Sequence, residues 1–454
     1  MEMKTSWKLL SVFCVCVTSN AAAVNLLDVY SQSLTADPLW QQATYIQRAV
    51  RETKTQALLN LLPLDVSANK NWAAAGGTTL NGPGYVALNL SVNLFSWDSW
   101  VALKSADATV AQSEANYRAA AQSLIQRVTQ QYFAVLAAQD ILLAQQSALK
   151  SVQSQVDQAE KGYDAGLISH TDVEAARASR DSTAAAVIAA KRTLATQQNL
   201  LRAITNESYS SLGTLRDDMP LLTPEPASED AWVRVAMNQN ASLIASRMAA
   251  EVAHDSLLTA YGGHLPSLYI SATRNWALQH VNPNDPIIST IPALNVAFPN
   301  NTTDIVWQIG VTVPIFSAGA TQSKVRQASL FWDAAKSGAD QTSRQTEEQT
   351  RDSYQGVISQ IAQIGARKRA FESNRVSLEA AQAGYEAGTK TVVDVLTSRD
   401  ALVQAELSYA QAKYDYLNDI VLLRLAAGTL DQSVIEQINS WLVEPASAAG
   451  SGGT

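Results

Sequence analysis

Hydrophobic positions recur along this chain with two different periods. In "YVALNLSVNLF" the apolar residues Val86, Leu88, Leu90, Val92 and Leu94 alternate with Ala87, Asn89, Ser91 and Asn93. In "DIVWQIGVTVPIF" the residues Ile305, Trp307, Ile309, Val311, Val313 and Ile315 alternate with Gln308, Gly310 and Thr312. Period-2 runs of about ten residues are the weak signature of transmembrane β-strands. A less regular strand-like segment precedes each run, 64–73 and 267–277, across turns rich in Gly, Pro and Asn. The pattern therefore predicts β-hairpins over 64–97 and 266–316. Trp72, Tyr85, Phe95, Trp97, Trp100, Tyr269, Trp276, Trp307 and Phe316 cluster at the strand ends. An interfacial aromatic girdle has this form, and so does a soluble hairpin with core aromatics.

The remaining pattern is helical. The stretches 98–163 and 317–385 are rich in Ala, Gln, Ser and Leu and contain no proline. At 1.5 Å per residue each extends roughly 100 Å. Turns follow at Gly162–Gly166 and Gly384–Gly388, where glycine can adopt a positive φ. Helices of roughly half that length return over 170–205 and 392–427. Helical segments at 25–61 and 229–260 precede the strands. Stacked end to end, such a segment and a return helix would cover one long helix.

Each element thus occurs twice. The two Gly-Tyr turns, at Gly162 and Gly384, lie 222 positions apart. The proline-led strand entries, at Pro63 and Pro266, lie 203 apart. The chain reads as a tandem duplication: repeats at 24–205 and 229–428, a linker at 206–228, and a segment at 429–454 ending in a disordered tail.

Composition narrows the function. Charged residues make up 16% of the 454 residues and the formal net charge is −8, so no basic face offers itself to nucleic acid. Lys4 and Lys8 precede the apolar run "LLSVFCVCV", which leads through "TSN" to an A-x-A-like cleavage site at Ala21-Ala22-Ala23. This order predicts a signal peptide over 1–23. Both cysteines, Cys14 and Cys16, fall inside it, leaving the mature chain no disulfide, thiolate nucleophile or cysteine metal site. No later run reaches about 18 consecutive apolar residues. An exported chain of this kind crosses a membrane only as a closed barrel. Four strands are too few, whereas three chains give about twelve strands around a lumen.

Catalytic and cofactor motifs fail. "GYEAGTKTVVDVL" at 384–396 approaches a phosphate loop, but only three residues separate Gly384 from Gly388, and Thr389 intervenes before Lys390. His170, His254, His264 and His280 make no H-E-x-x-H spacing, and no G-x-S-x-G motif occurs. The expectation is no enzyme and no cofactor or metal. Ser169-x-x-Asp172 and Thr391-x-x-Asp394 are similar to capping boxes, with Asp in place of Glu or Gln. A helix start accounts for both acids; a gate is the other reading.

The blocks "VNLLDVYSQSLTADPLWQQA", "GGHLPSLYISAT", "VTVPIFSAG", "AGLISHTDVEAARA", "AGTKTVVDVL" and "YDYLNDIVLLRLAAGTL" occur in an order that resembles the TolC family of Gram-negative outer-membrane efflux and secretion channels. The likeness runs to about residue 440, and no acylated cysteine is expected. The resemblance implies a mainly α fold with transmembrane β: a homotrimeric 12-stranded barrel in outer-membrane lipid, continuous with a periplasmic α-helical barrel. It implies a passive exit duct of a tripartite pump or type I secretion system. A periplasmic adaptor and an inner-membrane transporter, ABC or proton-driven, would open it. By the same resemblance Asp394 rings the aperture, with Thr397 where the family typically has a second aspartate. Lys390 latches to Asp172, supported by Thr171 and Tyr385. The turns Ala165-Gly166-Leu167 and Ala387-Gly388-Thr389 meet the adaptor. The rival reading is a pore-less trimeric periplasmic or surface coiled coil, which needs sustained heptads and no alternating strands.

Overall fold

The computed structural model describes residues 24–443 except 62–63, 76–77, 210, 217 and 278–304. The predicted signal peptide, the tail beyond 443 and most of the second hairpin's loop lie outside the described residues, as do the side chains of 64–87 and 275–277.

The chain is mainly helical. Its order is α1 (Leu26–Ala36), α2 (Pro38–Leu59), β1 (Leu64–Ala75), β2 (Thr78–Phe95), α3 (Trp97–Asp164) and α4 (His170–Thr205). A short β3 (Thr214–Leu215) follows, then α5 (Glu229–Gln239), α6 (Ala241–Gly262), β4 (Ser267–Ala277) and β5 (Val306–Thr312). The chain continues through α7 (Ala320–Glu386), α8 (Val392–Ala426), α9 (Gln432–Asn439) and β6 (Leu442–Val443). The helices α3 and α7 have 68 and 67 residues, about 100 Å each. Helices α2 and α4 both pack on α3, and α6 and α8 both pack on α7; α6 and α8 also touch α3.

Two expectations need correction. Residues 25–61 and 229–260 are not single helices. Asp37 breaks the first: its side chain accepts the Trp40 amide at 2.8 Å and Pro38 opens α2. Asp37 also takes two hydrogen bonds from Arg127 of α3, at 3.0 and 2.7 Å. Asn240 breaks the second, accepting the Leu243 amide and donating to the Ala426 carbonyl. A side chain that caps locally and bonds a distant helix fixes the break in place.

The main core lies mid-molecule. Leu26, Tyr132, Phe133, Tyr416, Leu417, Ile435 and Ile438 are fully enclosed there. Its belt is tied by backbone pairing: β3 with β6, and Val24 with Leu212. The Tyr132 hydroxyl donates to the Gly213 carbonyl at 2.9 Å. The linker and C-terminal segment are thus one structural unit.

At one end stands a four-stranded antiparallel sheet in the order β1-β2-β4-β5. Its edges, β1 and β5, have no second neighbour among the described residues. The apolar residues of β5 are exposed: Trp307, Ile309 and Val311 to 65%, 71% and 63%. None of the described helices is long and apolar enough to cross a membrane.

Candidate functional site at the helical tips

Both long helices end in the same geometry. After α3, Gly166 has φ 73°, its N–H donating to the Tyr163 carbonyl and that of Leu167 to the Gly162 carbonyl, each at 2.8 Å. After α7, Gly388 has φ 72°, its N–H donating to the Tyr385 carbonyl at 3.0 Å and that of Thr389 to the Gly384 carbonyl at 2.8 Å. These bonds satisfy carbonyls left open at a helix end, and the positive φ favours glycine. Gly384 serves a different need: a Cβ there would fall 2.7 Å from Lys390 Cγ.

The return helices also start alike. The Ser169 hydroxyl and amide donate to Asp172 Oδ2 at 2.8 and 3.2 Å, and the Asp172 amide donates back to Ser169 Oγ at 3.2 Å. Thr391 repeats the arrangement: its amide and hydroxyl reach Asp394 Oδ2 at 2.8 and 2.9 Å. The Thr391 amide and hydroxyl, with the Lys390 ammonium nearby, hold the Asp394 carboxyl below the usual carboxylate range. Asp394 is therefore an anion at neutral pH, favourably placed at a helix N-terminus.

One buried cluster joins the two tips. Val152, Val156 and Ala159 of α3, Val173 and Ala176 of α4, and Val392 and Leu396 of α8 pack together, with Ile168 and Tyr385 against them. The sequence-predicted residues consequently share one end of the molecule. Ala165, Gly166, Leu167, Ala387, Gly388, Thr389 and Thr171 are all exposed, Leu167 to 80%. Thr397 is exposed one turn beyond Asp394, and its hydroxyl donates to the Val393 carbonyl at 2.8 Å. Within one chain no ion pair joins Lys390 to Asp172 among the described residues; the neighbouring charge that Lys390 affects is Asp394.

Two arginines shape the tips without having been singled out from the sequence. Arg177 ties α4 to α3 through Glu160, at 2.7 Å, and reaches Glu174 at 2.9 Å. Arg399 is half-buried, and its Nε and Nη1 are shielded from solvent without an acceptor among the described residues. A signal for Arg399 existed: it continues the buried stripe Val392, Val395 and Leu396 at i+7.

The same family, outer membrane efflux protein, matches residues 29–207 and again 232–429. The outer membrane protein TolC of Vibrio cholerae is 30% identical over 431 residues, covering 94% of this chain and 95% of the relative. The alkaline protease secretion protein AprF of Pseudomonas aeruginosa is 26% identical over 452 residues, covering 96% and 91%. Among solved structures, the outer membrane protein VceC of Vibrio cholerae has a TM-score of 0.73 at 19% identity, covering 89% of this chain and 96% of that one; this likeness speaks for the fold alone. The family is one of outer membrane efflux proteins and the curated relatives include a secretion protein, so the chain is a transport protein and not an enzyme. With one family matching both halves and relatives spanning the whole length, the chain belongs to the outer membrane efflux protein family, the TolC-like exit ducts of the Gram-negative outer membrane whose helical part lies in the periplasm.

Proposed function

We propose that three copies of this chain form one passive duct, closed at its helical tips and opened by other proteins. The observation that carries this reading is the sheet: four strands, two edges without a second neighbour among the described residues, and an exposed apolar β5. Open edges in lipid leave amide and carbonyl groups unpaired at several kcal/mol each. Pairing β5 of one chain with β1 of the next removes every edge and gives a twelve-stranded barrel with a lumen. The twin tip geometry and the twofold family match support an origin by tandem duplication.

At the tips, three copies of Asp394 surround the aperture, and Thr397 adds a neutral polar ring. A narrow carboxylate ring favours cations over anions. The latch runs from Lys390 to Asp172 in the assembled trimer, aided by Thr171 and Tyr385; the exposure of Lys390 leaves it free to reach a neighbouring chain. The exposed turns Ala165-Gly166-Leu167 and Ala387-Gly388-Thr389 meet a periplasmic adaptor, which couples the duct to an inner-membrane ABC or proton-driven transporter. The energy for export comes from that transporter.

Recordings of gate variants in planar bilayers test this assignment. Lys390→Ala and Asp172→Ala raise single-channel conductance several-fold, and Asp394→Asn lowers cation preference. Unchanged conductance in both latch variants would reduce Asp172 to a helix cap, and unchanged selectivity would remove Asp394 from the pore.

A further inference from the structure

One cluster of chemically active side chains lies far from the tips. Glu251, His254 and Asp255 occupy one face of α6, at i, i+3 and i+4. Glu-x-x-His on a helix is a spacing that aims two ligands at one ion. One donor atom from each residue lies within 4.8 Å of the others. Two ligands of one zinc ion stand at most about 4 Å apart, so small side-chain rotations close the set.

Two orphaned atoms point to a missing cation. The Asp255 side chain is fully buried; its Oδ1 accepts from Lys104 Nζ at 2.8 Å, but its Oδ2 has no hydrogen-bond partner. His254 Nδ1 is also shielded from solvent without a hydrogen bond, 3.9 Å from Asp255 Oδ1. The imidazole is held by the Trp332 ring, at 4.9 Å between centroids. Among the described residues Lys104 is the one lysine or arginine paired with the two carboxylates, reaching Glu251 at 3.1 Å as well. One positive charge thus meets two negative ones, and Lys104 supplies no acceptor to the orphaned nitrogen and no second bond to Asp255 Oδ2. The Lys104 side chain is about half exposed, so its flexible stem can swing into water.

We infer that Glu251, His254 and Asp255 form a binding site for a divalent cation of the zinc class, which displaces the Lys104 ammonium. The mixed nitrogen and oxygen donor set suits a borderline ion rather than calcium or magnesium. Asp255 lies twelve residues before β4, so the site sits roughly 20 Å below the sheet. The site is separate from the tips.

Calorimetric titration of the untagged, detergent-solubilised chain with zinc chloride tests the inference. Wild type binds one ion per chain. His254→Ala, checked for native circular dichroism, weakens binding at least about a hundredfold, and Glu251→Gln about tenfold or more. Lys104→Met, which removes the competing ammonium, tightens it about tenfold. The inference is overturned by unchanged affinity in His254→Ala or in Lys104→Met. It is equally overturned by absence of saturable binding to wild type at about 1 mM zinc, including the case in which only Lys104→Met binds.

Discussion

Gly388 has a positive φ and Gly338 does not, which gives the same substitution opposite signs at the two positions. At Gly388, φ 72°, alanine costs about 1–2 kcal/mol of local strain. At Gly338, inside α7 with open space around it, alanine stabilises the helix by about 0.5–1 kcal/mol. Amide hydrogen exchange reads both: faster at the tip for Gly388→Ala, slower in α7 for Gly338→Ala. Equal effects would contradict the tip geometry. Asp419 makes a second prediction. Burial, and then the carboxylates of Asp415 and Asp352, raise its pKa to about 6. The folded pKa lies above the unfolded value of about 4, so the folded state binds the extra proton. Stability is therefore fuller below about pH 4 and falls as pH rises through about 6. Asp419→Asn raises the melting temperature at pH 8, by an effect on the order of 1 kcal/mol after solvent screening, and changes little at pH 4. Local chemistry of this kind was partly legible in the sequence. Ser169 with Asp172 and Thr391 with Asp394 announced caps because a cap needs only four neighbouring residues. The raised Asp419 pKa was not legible, because Asp352 comes from another helix.

Element boundaries follow the same division. The long helices showed in the sequence as proline-free stretches, and α3 and α7 are indeed the longest elements described. The breaks at Asp37 and Asn240 were missed, although Asp37-Pro38 is a local start signal, because the apolar periodicity continues across them. Their permanence comes from distant partners, Arg127 and the Ala426 carbonyl. Burial works against the charge of Asp37, but hydrogen bonds from Arg127 and the Trp40 amide outweigh it and hold the carboxyl below its usual value. Asp37→Ala removes a cap and strands the Arg127 guanidinium, destabilising the fold by about 3 kcal/mol. Asp37→Asn keeps the cap and loses the charge, and costs less. Denaturant titration distinguishes them; equal losses would show that the pairing with α3, not the cap, sets the break. The pairing of β3 with β6 was invisible for a related reason: two-residue strands carry no period, and their partners lie more than two hundred residues apart.

Across the whole molecule, composition and pattern had greater reach than any single motif. A chain without a long apolar helix but with alternating strands has one route through lipid, and the family match places it in the outer membrane. What pattern could not supply is the relation between copies. Lys390 and Asp172 do not pair within one chain, and Arg399 keeps buried N–H groups without acceptors among the described residues. In the proposed trimer a neighbouring chain would supply the partners of both. The central claim is that this chain assembles into a conducting duct. Single-channel recording of the detergent-extracted, folded protein in a planar lipid bilayer tests it most directly. Discrete, cation-preferring conductance steps are the predicted result; persistent absence of conductance from a correctly folded trimer, with Lys390→Ala equally silent, would contradict it.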